Sequence, residues 1–148
     1  MSISIVPLGA NDRADWDPLW AGYLEFYQHE LSAQQSDLSF SRLTDAAFPA
    51  WGALARDEHG RAVGMVHWLT HPSTWEPEPL VYLEDLFVDP ATRGSGVGRA
   101  LIDYVSRWAH ERGHAKVYWQ TAADNATARR LYDAVAEQHF VVYEINNP

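Results

Sequence analysis

At 148 residues the chain has room for one domain and little more. Its lack of cysteine excludes disulfides, thiolate metal sites and a covalent cysteine nucleophile. The formal charge of −9, from 11 Lys plus Arg against 20 Asp plus Glu, disfavours nucleic acid and anionic membrane as partners and attracts cations. Simple solubility is one reading of that charge; a cationic amine substrate is the other. Seven Trp and seven Tyr form an aromatic surplus, core material first, but also suited to a pocket or a subunit contact. The residues before Pro7 have no basic region followed by a long apolar run, so no signal peptide is expected. No stretch approaches 18 apolar residues, so no membrane span is expected and cytoplasm is the default location.

Ile3, Ile5 and Val6 read as a short first strand. Asn11 and Asp12 then suit the start of a helix whose Trp16, Leu19, Trp20, Tyr23, Leu24 and Tyr27 recur at three- and four-residue steps. A second, shorter helix is predicted around Thr44–Ala50, with Thr44 as its N-cap. Trp51–Arg56 and Val63–Thr70, separated by a connection containing Gly60, make a hairpin. Three prolines between His71 and Pro79 enforce a loop. Leu80–Val88 is an apolar strand with Glu84 and Asp85 in its middle. The turn Thr92–Gly98 opens a helix with Val97, Leu101, Tyr104, Val105, Trp108 and Ala109 on one face, stopped near Gly113. Lys116–Gln120 is predicted as a strand, Asn125–Glu137 as a helix and Phe140–Ile145 as a final strand. The order β-α-α-β-β-β-α-β-α-β implies an α+β domain, three-layered in the α/β manner, around one mixed sheet.

The turn Arg93-Gly94-Ser95-Gly96-Val97-Gly98 carries the chemistry. Glycine lets a ligand approach the main chain closely, and a helix start presents unpaired N–H groups with a partial positive charge. Arg93 and Arg99 add formal charge, and the whole suits a diphosphate. A P-loop needs Gly-Lys-Ser/Thr here, but Arg99 and Ala100 follow Gly98. A dinucleotide fingerprint needs a third glycine where Arg99 stands, and an acidic residue ending the next strand, which is missing. A turn with glycines for packing alone is the remaining alternative.

That hexapeptide resembles the Arg/Gln-x-x-Gly-x-Gly/Ala signature of the GNAT superfamily of acetyltransferases. Leu83–Val88 with Asp89-Pro90 before it, and Asn125…Ala128-Arg129-Arg130-Leu131-Tyr132 after it, resemble the neighbouring motifs in the expected order. The likeness covers Tyr82–Tyr143. Within the superfamily it is similar to the fungal histone/polyamine and D-amino-acid acetyltransferases with their bacterial relatives, and to the spermidine/spermine acetyltransferases.

The resemblance implies a single acetyltransferase domain over 1–148, with its acetyl-CoA-binding core at about 80–143. It implies a mostly antiparallel sheet splayed between its fourth and fifth strands. Main-chain amides of Gly94, Ser95, Gly96, Val97, Gly98 and Arg99, with Arg93, would hold the pyrophosphate of acetyl-CoA. The edge at Leu86, Phe87 and Val88 would pair with the pantetheine, and Asn125 and Arg129 would complete the coenzyme contacts. Asn125 as a plain N-cap is the alternative. A homodimer is also implied, and Phe140 and Tyr143 are available for its contact.

Acetyl transfer to an amine poses two proton problems. A primary ammonium of pKa about 10.4 leaves about one molecule in 2,500 nucleophilic at pH 7, a handicap of roughly 4.6 kcal/mol. Glu84 is the candidate base: a carboxylate in so apolar a strand is costly unless paired or functional. Strict alternation places Glu84, Leu86 and Val88 on one side and Asp85 and Phe87 on the other, unless a bulge intervenes. Glu84 as a mere cation-binding group, or paired with Arg93, is the alternative. The departing thiolate needs an acid, and the resemblance assigns that role to Tyr132, two helical turns after Asn125. Its phenol stays protonated at rest, with a pKa above a typical thiol's. Asp85, His67, Trp75 and Trp119 are the candidates for the acceptor pocket, with a solvated loop as the plain reading for Trp75. No His/Asp/Glu cluster has metal-ligand spacing, so no metal is expected. The function read from these residues is N-acetylation of a primary amine: a small cationic amine, polyamine or amino acid, or a lysine side chain. A non-catalytic acyl-CoA-binding module is the other class.

Overall fold

Short apolar runs between polar turns build one sheet, which the computed structural model, describing residues 2–148, orders as five consecutive strands. These are β1 (Ser4–Pro7), β2 (Ala50–Arg56), β3 (Ala62–His71), β4 (Leu80–Val88) and β5 (Val117–Tyr118). The first four are antiparallel neighbours and β5 joins β4 in parallel. The helices are α1 (Arg13–Phe26), α2 (Ala33–Leu43), α3 (Val97–Glu111) and α4 (Ala126–Val135). The chain resolves into two compact units, one reaching Tyr118 and the other running from Trp119 to Pro148. The sheet and α1 to α3 belong to the first; α4 belongs to the second.

In the first unit each sheet face has its own cover. Leu54, Met65 and Phe87 pack with Trp16, Leu19 and Trp20 of α1 and Phe40 of α2. Successive rings along α1 lie against one another: Trp16–Trp20 at 5.2 Å, Trp20–Tyr23 at 5.4 Å and Tyr23–Tyr27 at 4.9 Å. On the opposite face α3 buries Val97, Leu101, Ile102, Val105 and Ala109. It sits close because Gly64 lacks a side chain: a Cβ there would meet Val97 Cγ1 at 3.0 Å, Leu101 Cδ1 at 3.2 Å and the Phe87 carbonyl at 3.2 Å.

The mixed sheet and its splay match expectation. Pairing of β4 with β5 is confined to Val81↔Val117 and Tyr82↔Tyr118, and the outer edge of β4 beyond Tyr82 has no strand partner among the described residues. Four local expectations are corrected. The second helix is α2, not Thr44–Ala50. Ser32 caps its start by accepting from the Gln35 amide at 3.1 Å, and Thr44 is its C-cap, donating its hydroxyl to the Phe40 carbonyl at 2.9 Å. Asn11 and Asp12 fall in a 3₁₀ turn; Asp12 is the N-cap residue of α1, but its side chain accepts from the Gly9 amide at 2.7 Å and pairs with Arg56 at 3.2 Å without bonding the helix's own amides. The fifth strand shrinks from Lys116–Gln120 to two residues. Finally, residues 140–145 form no strand, and Phe140, Val141, Val142, Tyr143 and Ile145 are exposed. A strand exists only with a partner backbone, and this segment has none among the described residues.

Replacing Gly64 by valine overpacks the seat of α3 and should lower stability by about 1–3 kcal/mol in chemical denaturation. A midpoint equal to that of the parent chain would mean that α3 does not sit on β3 as described.

Candidate active site

The glycine turn is built by the end of β4. Asp89 donates its amide to the Val63 carbonyl at 2.8 Å and caps the following 3₁₀ turn (Pro90–Thr92) by accepting from the Ala91 amide at 3.0 Å. Ser95 returns its hydroxyl to the Thr92 carbonyl. Gly94 and Gly96 then take φ of +83° and +82°, left-handed values that strain any residue with a Cβ, and Gly96 is the N-cap of α3. The first hydrogen bond of the helix runs from the Ala100 amide to the Gly96 carbonyl at 3.0 Å. The main-chain N–H groups of Gly94, Ser95, Gly96, Val97, Gly98 and Arg99 therefore have no acceptor among the described residues. A Cβ built at Gly94 or Gly96 meets nothing within 4 Å. The turn is a row of donors facing open space, at the positive end of a 15-residue helix.

Arg93 lies with its guanidinium 5.8 Å from the Phe26 ring and 5.9 Å from the Phe87 ring. These three line a cavity of about 630 Å³ with Gly22, Arg61 and Asp89. Arg61 is paired with Asp89, whereas Arg93 forms no ion pair among the described residues and stays available to an anion.

The strand that ends at this turn also carries the acidic residues, and here alternation fails. His67 stands opposite Asp85 but Trp68 stands opposite Leu83, so Glu84 is an extra residue in β4. The bulge turns Glu84 to the same face as Asp85, toward α1, while Leu86 and Val88 pair with Val66 and Gly64 toward α3. The expectation that Glu84 shares a side with Leu86 and Val88 is thus corrected. The register sets Tyr82, and Tyr118 beside it, on the same face as Glu84, with ring centroids 4.9 Å apart. Tyr118 donates to His71 Nε2 at 2.7 Å, since His71 Nδ1 donates to the Pro72 carbonyl at 2.9 Å.

His67, named above for the acceptor pocket, is only 3% exposed and reaches that face through Asp85. Its Nε2 lies 2.9 Å from Trp16 Nε1 and its Nδ1 lies 2.8 Å from Asp85 Oδ2. An indole N–H only donates, so Nε2 carries the lone pair and the imidazole hydrogen sits on Nδ1, donated to Asp85. Asp85 also accepts the Tyr23 hydroxyl. Tyr23 and Trp16 were legible as a helix face, but nothing in the one-dimensional pattern attached them to the acidic pair.

These environments shift the titrations. The carboxyl of Glu84 is raised above its ordinary range, first by partial desolvation and then by the charge of Asp85, against a smaller lowering from His67. Tyr23 is pushed far above the usual phenol value by burial and then by Asp85. Tyr82 is pushed up to about 12 by burial and then by Glu84. Burial and Glu84 raise Tyr118 as well.

In the second unit Asn125 is the N-cap of α4, accepting from the Ala128 amide at 3.3 Å and approaching Thr121 Oγ1 at 3.4 Å. Arg129 donates to the Ala123 carbonyl at 2.8 Å and to Gln138 at 3.3 Å. Tyr132 meets Trp119 edge-on, with ring centroids 5.4 Å apart. Trp75, in the loop before β4, is 85% exposed. Among the described residues no group of three His, Asp or Glu is arranged to hold a metal ion, and no helix is long and apolar enough to cross a membrane.

With this geometry in place, comparison with known proteins is direct. Residues 16–136 match the family described as Acetyltransferase (GNAT) family. The chain is 38% identical to the D-amino-acid N-acetyltransferase HPA3 of Saccharomyces cerevisiae, over 90% of this chain and 84% of that one. It is 33% identical to a mycothiol acetyltransferase of Clavibacter sepedonicus over 90% of its own length, though it spans only 42% of that relative. Among solved structures, AAC(6')-Iy in complex with the bisubstrate analog CoA-S-monomethyl-acetylneamine superposes with a TM-score of 0.84 at 19% identity, covering 100% of both chains. The chain belongs to the GNAT acetyltransferase family, and it is an enzyme of that class.

Burial disfavours the phenolate, so native tyrosines should ionise late. Absorbance titration at about pH 11 should find Tyr23 and Tyr82 still neutral, where unfolded protein has largely ionised all seven tyrosines. Seven ordinary phenols in the native protein would contradict the burial of Tyr23.

Proposed function

We propose that this enzyme moves the acetyl group of acetyl-CoA to the primary amine of a small cationic substrate, by direct attack within a ternary complex. The observation that carries the reading is the row of six acceptor-free amides from Gly94 to Arg99, at the end of the same strand that carries Glu84. Those amides and Arg93 fit a diphosphate. The unpartnered edge of β4 at Leu86–Val88 fits an extended chain of amides, in the manner of an added strand.

Acetyl-CoA, when bound, supplies an activated thioester to the site. The chain's own residues do the rest. Asp85, hydrogen-bonded to His67, and the faces of Tyr82 and Tyr118 suit the binding of a cation. Glu84, solvent-accessible and raised above the ordinary carboxylate range, takes a proton from the ammonium, directly or through a water. Tyr132 is proposed to return a proton to the departing sulfur, a role carried by the family motif, and Asn125 and Arg129 to complete the coenzyme contacts. A small acceptor is favoured over a peptide because the acidic pair lies at the sheet's unpartnered edge among aromatic rings. The whole of 1–148 is proposed to act as one acetyltransferase domain in the cytoplasm, in a homodimer for which the exposed Phe140 and Tyr143 are candidate contacts.

Release of free thiol from acetyl-CoA against a panel of amines, amino acids and lysine peptides tests the reading. Turnover should appear with cationic small amines and vanish in Gly96→Glu, which charges and fills the donor row. Coenzyme binding without thiol release for any amine would instead support a binding module, and normal binding by a folded Gly96→Glu protein would move the coenzyme elsewhere.

The base must be unprotonated to act, so activity should fall as pH drops through a value above the ordinary carboxylate 4.5. Glu84→Gln should remove that limb and lower kcat/KM by about 10²–10⁴-fold. An unchanged pH profile in the variant would take Glu84 out of the proton path.

A further inference from the structure

Two adjacent carboxylates on one face repel each other, and as a bare pair they would share their protons indiscriminately. In this site their surroundings differ. Glu84 is the bulged residue, solvent-accessible, with no ion pair among the described residues. Asp85 is more enclosed and is held by two donors from two elements, His67 Nδ1–H of β3 at 2.8 Å and the Tyr23 hydroxyl of α1. Behind His67 stands Trp16, wholly buried, whose indole N–H occupies Nε2 at 2.9 Å. The rings of Trp16 and Trp20 lie 5.9 Å and 5.5 Å from the imidazole and exclude water from it. Nε2 already accepts the indole N–H, so the imidazole hydrogen sits on Nδ1, toward Asp85.

We propose that His67, locked in that tautomer by Trp16, is a positioning residue that keeps Asp85 ionised as the anchor for a substrate ammonium and leaves Glu84 as the carboxylate that accepts the proton. The assignment rests on the acetyl-transfer reading above and adds to it a division of labour between the two carboxylates. The groups that face the pair are Tyr23 from α1, His67 from β3, Tyr82 from β4 and Tyr118 from β5. Among the described residues no Lys or Arg pairs with either carboxylate. The donors on Asp85 are therefore all neutral. They hold its charge without cancelling it, which a lysine or arginine in the place of His67 would do.

The proton's path balances within this arrangement. It leaves the substrate nitrogen for a Glu84 oxygen, while Asp85 retains its negative charge and His67 keeps its single proton throughout.

The test reads the imidazole directly and the acid limb separately. In ¹⁵N-labelled enzyme, long-range ¹H–¹⁵N correlation should show one of the seven histidines, identified by its loss in His67→Asn, as neutral with hydrogen on Nδ1 from about pH 8 to about pH 5. In Trp16→Phe, which keeps an aromatic ring and removes the indole donor, the same imidazole should take a proton on Nε2 within that range. KM for a cationic amine should then rise several-fold as it titrates, with kcat at saturation changed less. Removing a donor from a carboxylate makes it easier to protonate, so His67→Leu should add to kcat/KM a second acid limb, carried by KM and separate from that of Glu84, and raise KM about tenfold. His67→Asn, which restores an N–H toward Asp85, should return both toward the parent values. An imidazole that titrates freely in the parent enzyme, or carries its hydrogen on Nε2, overturns the proposal. So does a His67→Leu enzyme that is slower at every pH with no second acid limb and its KM unmoved, the signature of a merely structural residue. The spectrum needs no acetyl-CoA, so absence of thiol release would sink the acetyl-transfer reading while the lock is still judged on its own signals.

Discussion

A strand alternates its side chains, so neighbouring carboxylates ordinarily leave by opposite faces and one of them must enter the core. In β4 that outcome would drive a charge into the apolar layer under α3. The extra residue at Glu84 prevents it. Leu83 stays on the α3 face opposite Trp68, Asp85 goes to the α1 face opposite His67, and Glu84 goes there with it. The bulge also restores the apolar alternation beyond it: Leu86 and Val88 turn to α3, and Phe87 to the core beneath α1. The acidic site follows from this one inserted residue, because it brings both carboxylates to the side of the sheet on which His67, Tyr82 and Tyr118 stand.

The donor row depends on the same strand by a different route. Gly64 leaves a gap in β3 into which Val97 and Leu101 settle, fixing the first turn of α3 against the sheet. The Asp89 amide bonded to Val63 pins the end of β4 beside it. Between these two anchors only a handful of residues remain to reverse the chain, and the left-handed Gly94 and Gly96 make the reversal possible. The amides point outward because the helix behind them has no carbonyl to offer its first turn. Binding capacity there is a by-product of helix geometry made accessible by glycine, with Arg93 adding the charge.

How much of this was legible in the sequence follows from how local each signal is. The glycine turn could be read because its chemistry lies within six residues, and so could the aromatic face of α1, because its period is the helix's own. The bulge could not, since it is a property of how β4 aligns with β3, and no pattern within β4 distinguishes an inserted Glu84 from an alternating one. His67 and Asp85 are 18 residues apart and Trp16 and His67 are 51 apart, so their contacts belong to the fold. The α2 helix was missed for another reason. It buries little beyond Phe40, so few apolar residues mark its inner face. Yet Ser32 followed three residues later by Gln35 is a capping signature that could have located its start. Residues 140–145 show the opposite error, since β-propensity there is strong but a ladder needs a second backbone.

The placement of polar atoms under α1 argues that the acidic site is built rather than tolerated. Trp16, Trp20 and Tyr23 present a nearly continuous stack of rings, and a lone buried imidazole beneath it would be expensive. Instead each polar atom there has its complement: indole to imidazole, imidazole to carboxylate, phenol to the same carboxylate. A network satisfied in this way is rigid, whereas one lacking a member is worse than an apolar core. The chain of bonds ends on Asp85, next to Glu84, a second carboxylate that has no such support. In the acetyl transfer proposed above, an ammonium meets an anchoring carboxylate and a proton acceptor side by side.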